Sequence, residues 1–247
     1  MKVQGLTGIA AATLLTGIVS SAGIANAASL SRSASYQQTD FDKEEVPEPY
    51  LSQGYGLTDI EAPISIEKFD SALGTLKSVT LSYSASMKGQ GGIENRSATP
   101  RSVTVNLSGL LSLSGPNSAN LFQLNPQKNL AYNLARYDGK LDYAGASGRT
   151  FEGLTADTSG TQVFTDPNIL QWFTGSGMLD FLFTATAQSA VTGSGNISSF
   201  INTFAKADLN ITYDYDPTPI PEPSTMLGLA GVLGGIALQR KKAMKKA

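Results

Sequence analysis

Leu209-Asn210-Ile211-Thr212-Tyr213-Asp214-Tyr215-Asp216 alternates apolar and polar side chains, and Pro217 follows. A period of two puts Leu209, Ile211, Tyr213 and Tyr215 on one face of a strand and the four polar residues on the other. Pro217 has no N–H to give a ladder, so the strand ends there. The same alternation recurs upstream: Leu179, Phe181, Phe183, Ala185 and Ala187; Val79, Leu81, Tyr83, Ala85 and Met87; Val103, Val105 and Leu107, continuing to Leu113. Gly109 inside the last of these predicts a bulge. The Gly-rich stretch 88–100 predicts a long-loop hairpin joining the strands on either side of it. Gly193-Ser194-Gly195-Asn196 predicts a turn, and shorter strands are expected at 64–66, 150–154 and 161–164.

Two helical segments stand out. Leu130, Leu134 and Tyr137 fall at helical spacing within 126–137, and Asp166-Pro167 is suited to opening a short helical turn. Many short strands separated by polar turns predict an all-β fold, an antiparallel β-sandwich or jelly-roll-like domain over 63–216. No repeat of fixed period is visible. Residues 28–62 are rich in Ser, Gln, Asp and Glu. They read either as a flexible polar leader or as an edge strand near Ser33–Thr39.

Composition narrows the chemistry. The 247 residues contain no Cys and no His. Disulfides, thiolate nucleophiles, His-dependent triads and almost every zinc or copper site are thereby excluded.

The two ends read as addresses. Residues 1–27 carry one charge, Lys2, then an apolar run, and close on Ala25-Asn26-Ala27. This is the pattern of a signal helix with small residues at −3 and −1, where signal peptidase would recognise Ala25 and Ala27 and cut after the latter. At the other end, 217–223 is broken by four prolines and cannot be regular structure. An uncharged run rich in Gly, Ala and Leu follows, and then the basic tail Arg240, Lys241, Lys242, Lys245 and Lys246. The 16 residues from Ser224 to Gln239 make roughly 24 Å of helix, barely enough to cross a bilayer core of about 30 Å. The basic residues would hold that end in the cytoplasm. Between the two signals, residues 28–239 hold 12 Lys+Arg against 20 Asp+Glu, a net charge of −8. An acidic body is not expected to bind nucleic acid.

Pro221-Glu222-Pro223-Ser224-Thr225, the short hydrophobic helix and the basic finish together resemble the PEP-CTERM sorting signal of Gram-negative bacteria. The resemblance covers the last 27 or so residues (domain 217–247 in all) and implies processing by an exosortase, a membrane cysteine protease. A plain C-terminal anchor is the alternative. A second resemblance covers about 60–216. Phe69-Asp70-Ser71-Ala72-Leu73-Gly74-Thr75-Leu76 is similar to the opening of the choice-of-anchor E domain, with Ser71-Ala72 in place of Pro-Ser. Ile93-Glu94-Asn95, Phe173-Thr174-Gly175-Ser176-Gly177 and the closing strand at 209–215 also fit. The segment 117–148 fits less well and reads as an insertion. That family implies an exported β-domain and brings no catalytic residues.

What chemistry remains is carried by carboxylates. Glu94, Asp138, Asp142, Glu152, Asp157, Asp166 and Asp180 are the candidates for a hydrolytic pair, although none lies in a recognisable motif. No cofactor is expected; the places where a Ca²⁺ could find oxygen ligands are Asp138-Gly139-Lys140-Leu141-Asp142 and Asp214 with Asp216. Trp172 and Phe173 would serve a sugar platform if exposed. The reading is therefore an exported, non-enzymatic protein of the cell surface or extracellular matrix. It would meet signal peptidase, an exosortase and, transiently, the inner membrane, with exopolysaccharide or other surface proteins as candidate partners. The alternatives are a carbohydrate-binding module and, last, a carboxylate-dependent hydrolase.

Overall fold

A computed structural model of the chain describes residues 27–218 together with the backbone of residues 13–15. The described residues form twelve strands: β1 (Thr13–Leu15), β2 (Ala28–Ser35), β3 (Gly56–Leu57), β4 (Ile60–Glu67), β5 (Gly74–Asn95), β6 (Arg101–Ser114), β7 (Asn120–Leu124), β8 (Gln127–Leu134), β9 (Gly148–Phe164), β10 (Met178–Ala187), β11 (Ala190–Gly193) and β12 (Ile197–Pro217). Three short helices accompany them: α1 (Asp40–Glu45), α2 (Glu48–Leu51) and α3 (Pro167–Phe173). One sheet has the order β1-β2-β12-β5-β9, with β3 beside β12. The other has β11-β6-β10-β4, with β7 and β8 along the remaining edge of β6. The strand ladders are antiparallel. The fold is thus an all-β antiparallel sandwich.

The apolar positions of the alternating strands fill the space between the sheets. Val79, Leu81, Tyr83 and Met87 of β5 meet Phe181 and Phe183 of β10, with Leu209, Ile211 and Tyr213 of β12 beside them; all are buried. The same core continues towards one end through Ile93, Val103, Val105, Leu107 and Leu154. A smaller cluster of Val46, Tyr50, Tyr55 and Phe204 lies where α1 and α2 cover the outer face of the first sheet.

Several expectations are corrected. The stretch 88–100 is not a hairpin loop. Strand β5 runs on to Asn95, and only residues 96–100 lead to β6, which belongs to the other sheet, so the connection is an arch between sheets. The glycines of 88–95 suit a crowded strand. A Cβ on Gly91 would lie 2.1 Å from the carbonyl oxygen of Phe200, so a side chain is excluded there for steric reasons rather than for a turn. Gly109 is likewise a point of close approach and not a bulge: its Cβ would sit 2.3 Å from the sulfur of Met87. The register of the long ladder shifts instead between Gly89 and Gly91, opposite Glu152-Gly153, with Gly153 at a φ of +64°.

The helix expected over 126–137 is strand β8, paired residue for residue with Arg101–Ser108. Leu130 and Leu134 are four apart, which fits either period. Tyr132 packs on the same inner cluster as both, and that spacing of two selects the strand. Asp166 does open a helix, accepting a hydrogen bond from Asn168 N.

Residues 28–62 are part of the sandwich. Ala28–Ser35 is a strand against β12, beginning earlier than Ser33–Thr39, because Leu30, Ala34 and Tyr36 reach the core at a period of two. Within the expected signal helix, residues Thr13–Leu15 are extended along Ser31–Ser33, whose main-chain groups lie at the sheet edge. The rest of 1–26 lies outside the described residues, as does the expected C-terminal hydrophobic helix. Among the described residues no helix is long and apolar enough to cross a membrane.

Candidate functional site

The chain enters and leaves the sandwich at one place. Ala27 is exposed and directly precedes β2, and Ala28 pairs across the ladder with Tyr215 of β12. Pro217 lies opposite Gly74. The Thr218 N–H donates to the Leu73 carbonyl at 2.9 Å, and its hydroxyl donates to the Ala72 carbonyl at 3.2 Å. The exit is thus tied down through the last described residue. Ala25 lies outside the described residues, as do the sorting motif Pro221, Glu222, Pro223, Ser224 and Thr225 and the tail Arg240, Lys241, Lys242, Lys245 and Lys246.

Between the terminal end and α2, the outer face of the first sheet is a lattice of small polar side chains. The row Ser33–Asn210–Ser82–Thr161 crosses four strands, and Ser35–Asp208–Ser84–Ser159 runs beside it. These rows border an open trough of about 370 Å³. Their polar atoms serve one another: Asn210 Nδ2 donates to Ser33 Oγ at 2.9 Å, and Ser35 Oγ donates to Asp208 at 2.7 Å. Asp214 accepts from Ser29 and Ser78, whereas Asp216 pairs with Lys77 at 2.9 Å. The two aspartates therefore serve different partners.

At the opposite end Asn95 joins two loops, 96–100 and 135–147. This side chain is fully buried and ties each loop down: Nδ2 donates to the carbonyls of Thr99 at 2.9 Å and Ala135 at 2.6 Å, and Oδ1 accepts from Ser97 N at 2.9 Å. Its main-chain N–H donates to the Ser147 carbonyl. Next to it, Glu94 is also 0% exposed, yet neither carboxylate oxygen has a hydrogen-bond partner among the described residues. Gly148 lies opposite it, and a Cβ there would come within 2.3 Å of Glu94 Oε2. Above it, Tyr143 stacks edge-on against Phe200, which is 44% exposed, with centroids 5.0 Å apart.

The remaining carboxylates are dispersed. Asp138 and Asp142 each close a local turn, on Lys140 N and Ala144 N. Asp157 accepts from Ser86, Asp180 from Ser65, Asp166 caps α3, and Glu152 is exposed. Among the described residues no three acidic side chains converge to hold a metal ion. Trp172 packs against the main core and Phe173 is buried within it, so this pair forms no exposed platform.

A second buried carboxylate is not among the residues that the sequence singles out. Asp42, 4% exposed, accepts at Oδ2 from the Tyr36 hydroxyl at 2.6 Å and from the Thr39 N–H and hydroxyl at 2.8 Å. At Oδ1 it accepts from Leu57 N at 2.8 Å. The signal that could have found it is the capping pattern Thr39-x-x-Asp42, in which Asp stands where a box more often has Glu. Burial, reinforced by the hydrogen bond and charge of Asp42, pushes the Tyr36 phenol well above its ordinary range. Burial alone does the same to Tyr83, and is the main cause at Tyr213.

No family model matches the chain, and no curated protein matches it. Among solved structures it is similar to that of infectious bursal disease virus Gt strain, at 10% identity and a TM-score of 0.15, covering 72% of this chain and 48% of that one. It is also similar to infectious bursal virus derived T=1 particles, at 8% identity and a TM-score of 0.13, covering 73% and 46%. The chain spans about half the length of these structures. Likeness at that level carries no argument about what this chain does.

Proposed function

We propose that this is an exported, non-enzymatic β-sandwich of the cell surface or extracellular matrix, released from its precursor by signal peptidase and sorted by an exosortase. One observation carries the reading. The folded domain fills the interval between the two addresses: β2 begins at Ala28, directly after the expected cleavage point, and β12 ends at Pro217, just before the Pro221-Glu222-Pro223 motif. Cleavage after Ala27 would remove only the three-residue edge strand β1, and cleavage near Pro223 would remove none of the described strands. Because Ala28 and Tyr215 are neighbours, the opposite end of the sandwich lies away from any tether. The dispersal of the candidate carboxylates supports a binding or structural role over hydrolysis.

A carbohydrate-binding role is the second reading. It is favoured by the Tyr143–Phe200 pair at the end remote from the tether. The sorting step is tested by Glu222→Ala and Pro223→Ala. Each variant is expected to stay cell-associated at full length, as followed by immunoblot of medium and membrane fractions. Release of both variants at the normal rate and mass would contradict the proposal.

A further inference from the structure

We infer that β2 is a self-association edge, on which a second copy of the chain docks strand to strand about a two-fold axis at Arg32. The inference rests on the proposed function in one respect: the exported chain begins at Ala28, so that Thr13–Leu15 no longer occupies this edge.

The strand edges differ in their protection. Exposed edges usually carry prolines, inward charges or bulges that discourage pairing with another chain. Strand β4, the edge of the second sheet, has Pro63 at its middle and Glu61 and Glu67 flanking it. Strand β9, the far edge of the first sheet, has the irregularity at Glu152-Gly153. Strand β2 has one of these, the inward-facing Arg32, and that charge is already neutralised within its own molecule. It contains no proline, no acidic residue and no register shift against β12. Its one charge, Arg32, is turned back on its own molecule, with Nε 2.8 Å from Glu67 Oε2.

The edge is also self-complementary. The Tyr36 N–H bonds inward to Ala207 on β12, so the even positions face β12 and the odd positions face out. Consistent with this, the carbonyls of Ser31 and Ser35 accept from the nearby side chains of Arg32 and Gln37. The sequence Ser29-Leu30-Ser31-Arg32-Ser33-Ala34-Ser35 reads nearly the same in both directions about Arg32. In an antiparallel pair centred there, Ser31 of each copy faces Ser33 of the other, and Ser29 faces Ser35. Every outward N–H and C=O then meets a partner, giving about eight main-chain hydrogen bonds. An interface of this kind is isologous and closes at two copies. That the edge accepts an antiparallel strand is already visible: Thr13–Leu15 lies along Ser31–Ser33. Docking in this way would join the two first sheets into one and lay their outer polar rows side by side.

The chain has no cysteine, which makes the register directly testable. Arg32→Cys places one thiol of each copy across the two-fold axis, and the exported chain should air-oxidise to a covalent dimer. Ser29→Cys, far from its own symmetry mate, should not. Without cross-linking, sedimentation of the exported wild-type chain should show a reversible dimer. Ser33→Pro, which removes an outward N–H only, should raise the dimer dissociation constant at least tenfold while leaving the circular dichroism unchanged. An exported chain whose mass begins at Ala28 but which stays monomeric at every loading would overturn the edge and leave the export reading intact. Recovery of an exported chain that still carries residues 1–27 would overturn the export reading, whereas a covalent dimer of the Arg32→Cys variant expressed from Ala28 would leave the edge intact. A dimer indifferent to Ser33→Pro and not captured by Arg32→Cys would mean that the copies meet elsewhere, and would overturn the edge.

Discussion

Asp42 and Glu94 are both buried carboxylates, and their surroundings are opposite. Asp42 lies in the first turn of α1 and receives four hydrogen bonds, from Tyr36, Thr39 and Leu57. Glu94 sits under the 135–147 loop and receives none among the described residues. A buried charge costs free energy unless donors replace its lost water. The first carboxylate therefore holds the N-terminal segment onto the sheet, and the second is a local weakness beside the well-bonded Asn95. The exit of β12 is closed by the two hydrogen bonds of Thr218, Asp42 holds α1 against the middle of the sheet, and the opposite end carries the unsatisfied group.

The largest expected effect is global and alkaline. Tyr36, Tyr83 and Tyr213 have folded-state pKa values raised above the ordinary value of 10.0. A raised value in the folded state means stability that is fully present below about pH 10 and lost as pH climbs past it. Unfolding followed by circular dichroism should show a flat plateau through neutral pH, where the chain has no histidine to titrate, and a steep loss above about pH 10. Loss of stability already at about pH 8 would break this account of the tyrosines. Next in size is Asp42→Ala, which strands the donors of Tyr36, Thr39 and Leu57 and should cost about 3–5 kcal/mol in urea unfolding. Asn95→Ala removes three side-chain hydrogen bonds at the remote end and should cost about 2–3 kcal/mol. It should also speed amide exchange in residues 96–100 and 135–147 more than elsewhere.

Glu94→Gln has the opposite sign. It removes an unsatisfied charge at nearly constant volume and should raise stability by about 1–2 kcal/mol. If it destabilised the protein as Asp42→Ala does, the contrast between the two carboxylates would fail. Thr218→Ala is the smallest. It deletes one hydroxyl bond to Ala72 at the exit and should cost under about 1 kcal/mol, leaving the remote end unaffected.

Strand β5 shows how far the sequence can be read. Its first half, Val79 to Met87, alternates cleanly and is legible. Its second half is not, because Gly89, Gly91 and Gly92 carry no side chain to alternate and their reason lies in residues far along the chain, Leu107, Phe200 and Tyr143. The arch to β6 is hidden for the same cause: adjacent strands in sequence are taken to pair, and only the long ladder with β12 shows that they part. At 126–137 the four-residue spacing of Leu130 and Leu134 conceals a strand. The proposed addresses at both ends rest on local motifs of the sequence alone. The remote hub is not legible, since Asn95 acquires its role from Thr99, Ala135 and Ser147 only after two loops meet.

Intact-mass analysis of the protein from culture medium and from membranes tests the central claim most directly. Processing at both ends yields a species that begins at Ala28 and ends near Pro223, with β2 to β12 retained. A species still carrying Arg240 to Ala247 in both fractions would contradict exosortase sorting and make the protein a simple C-terminally anchored one.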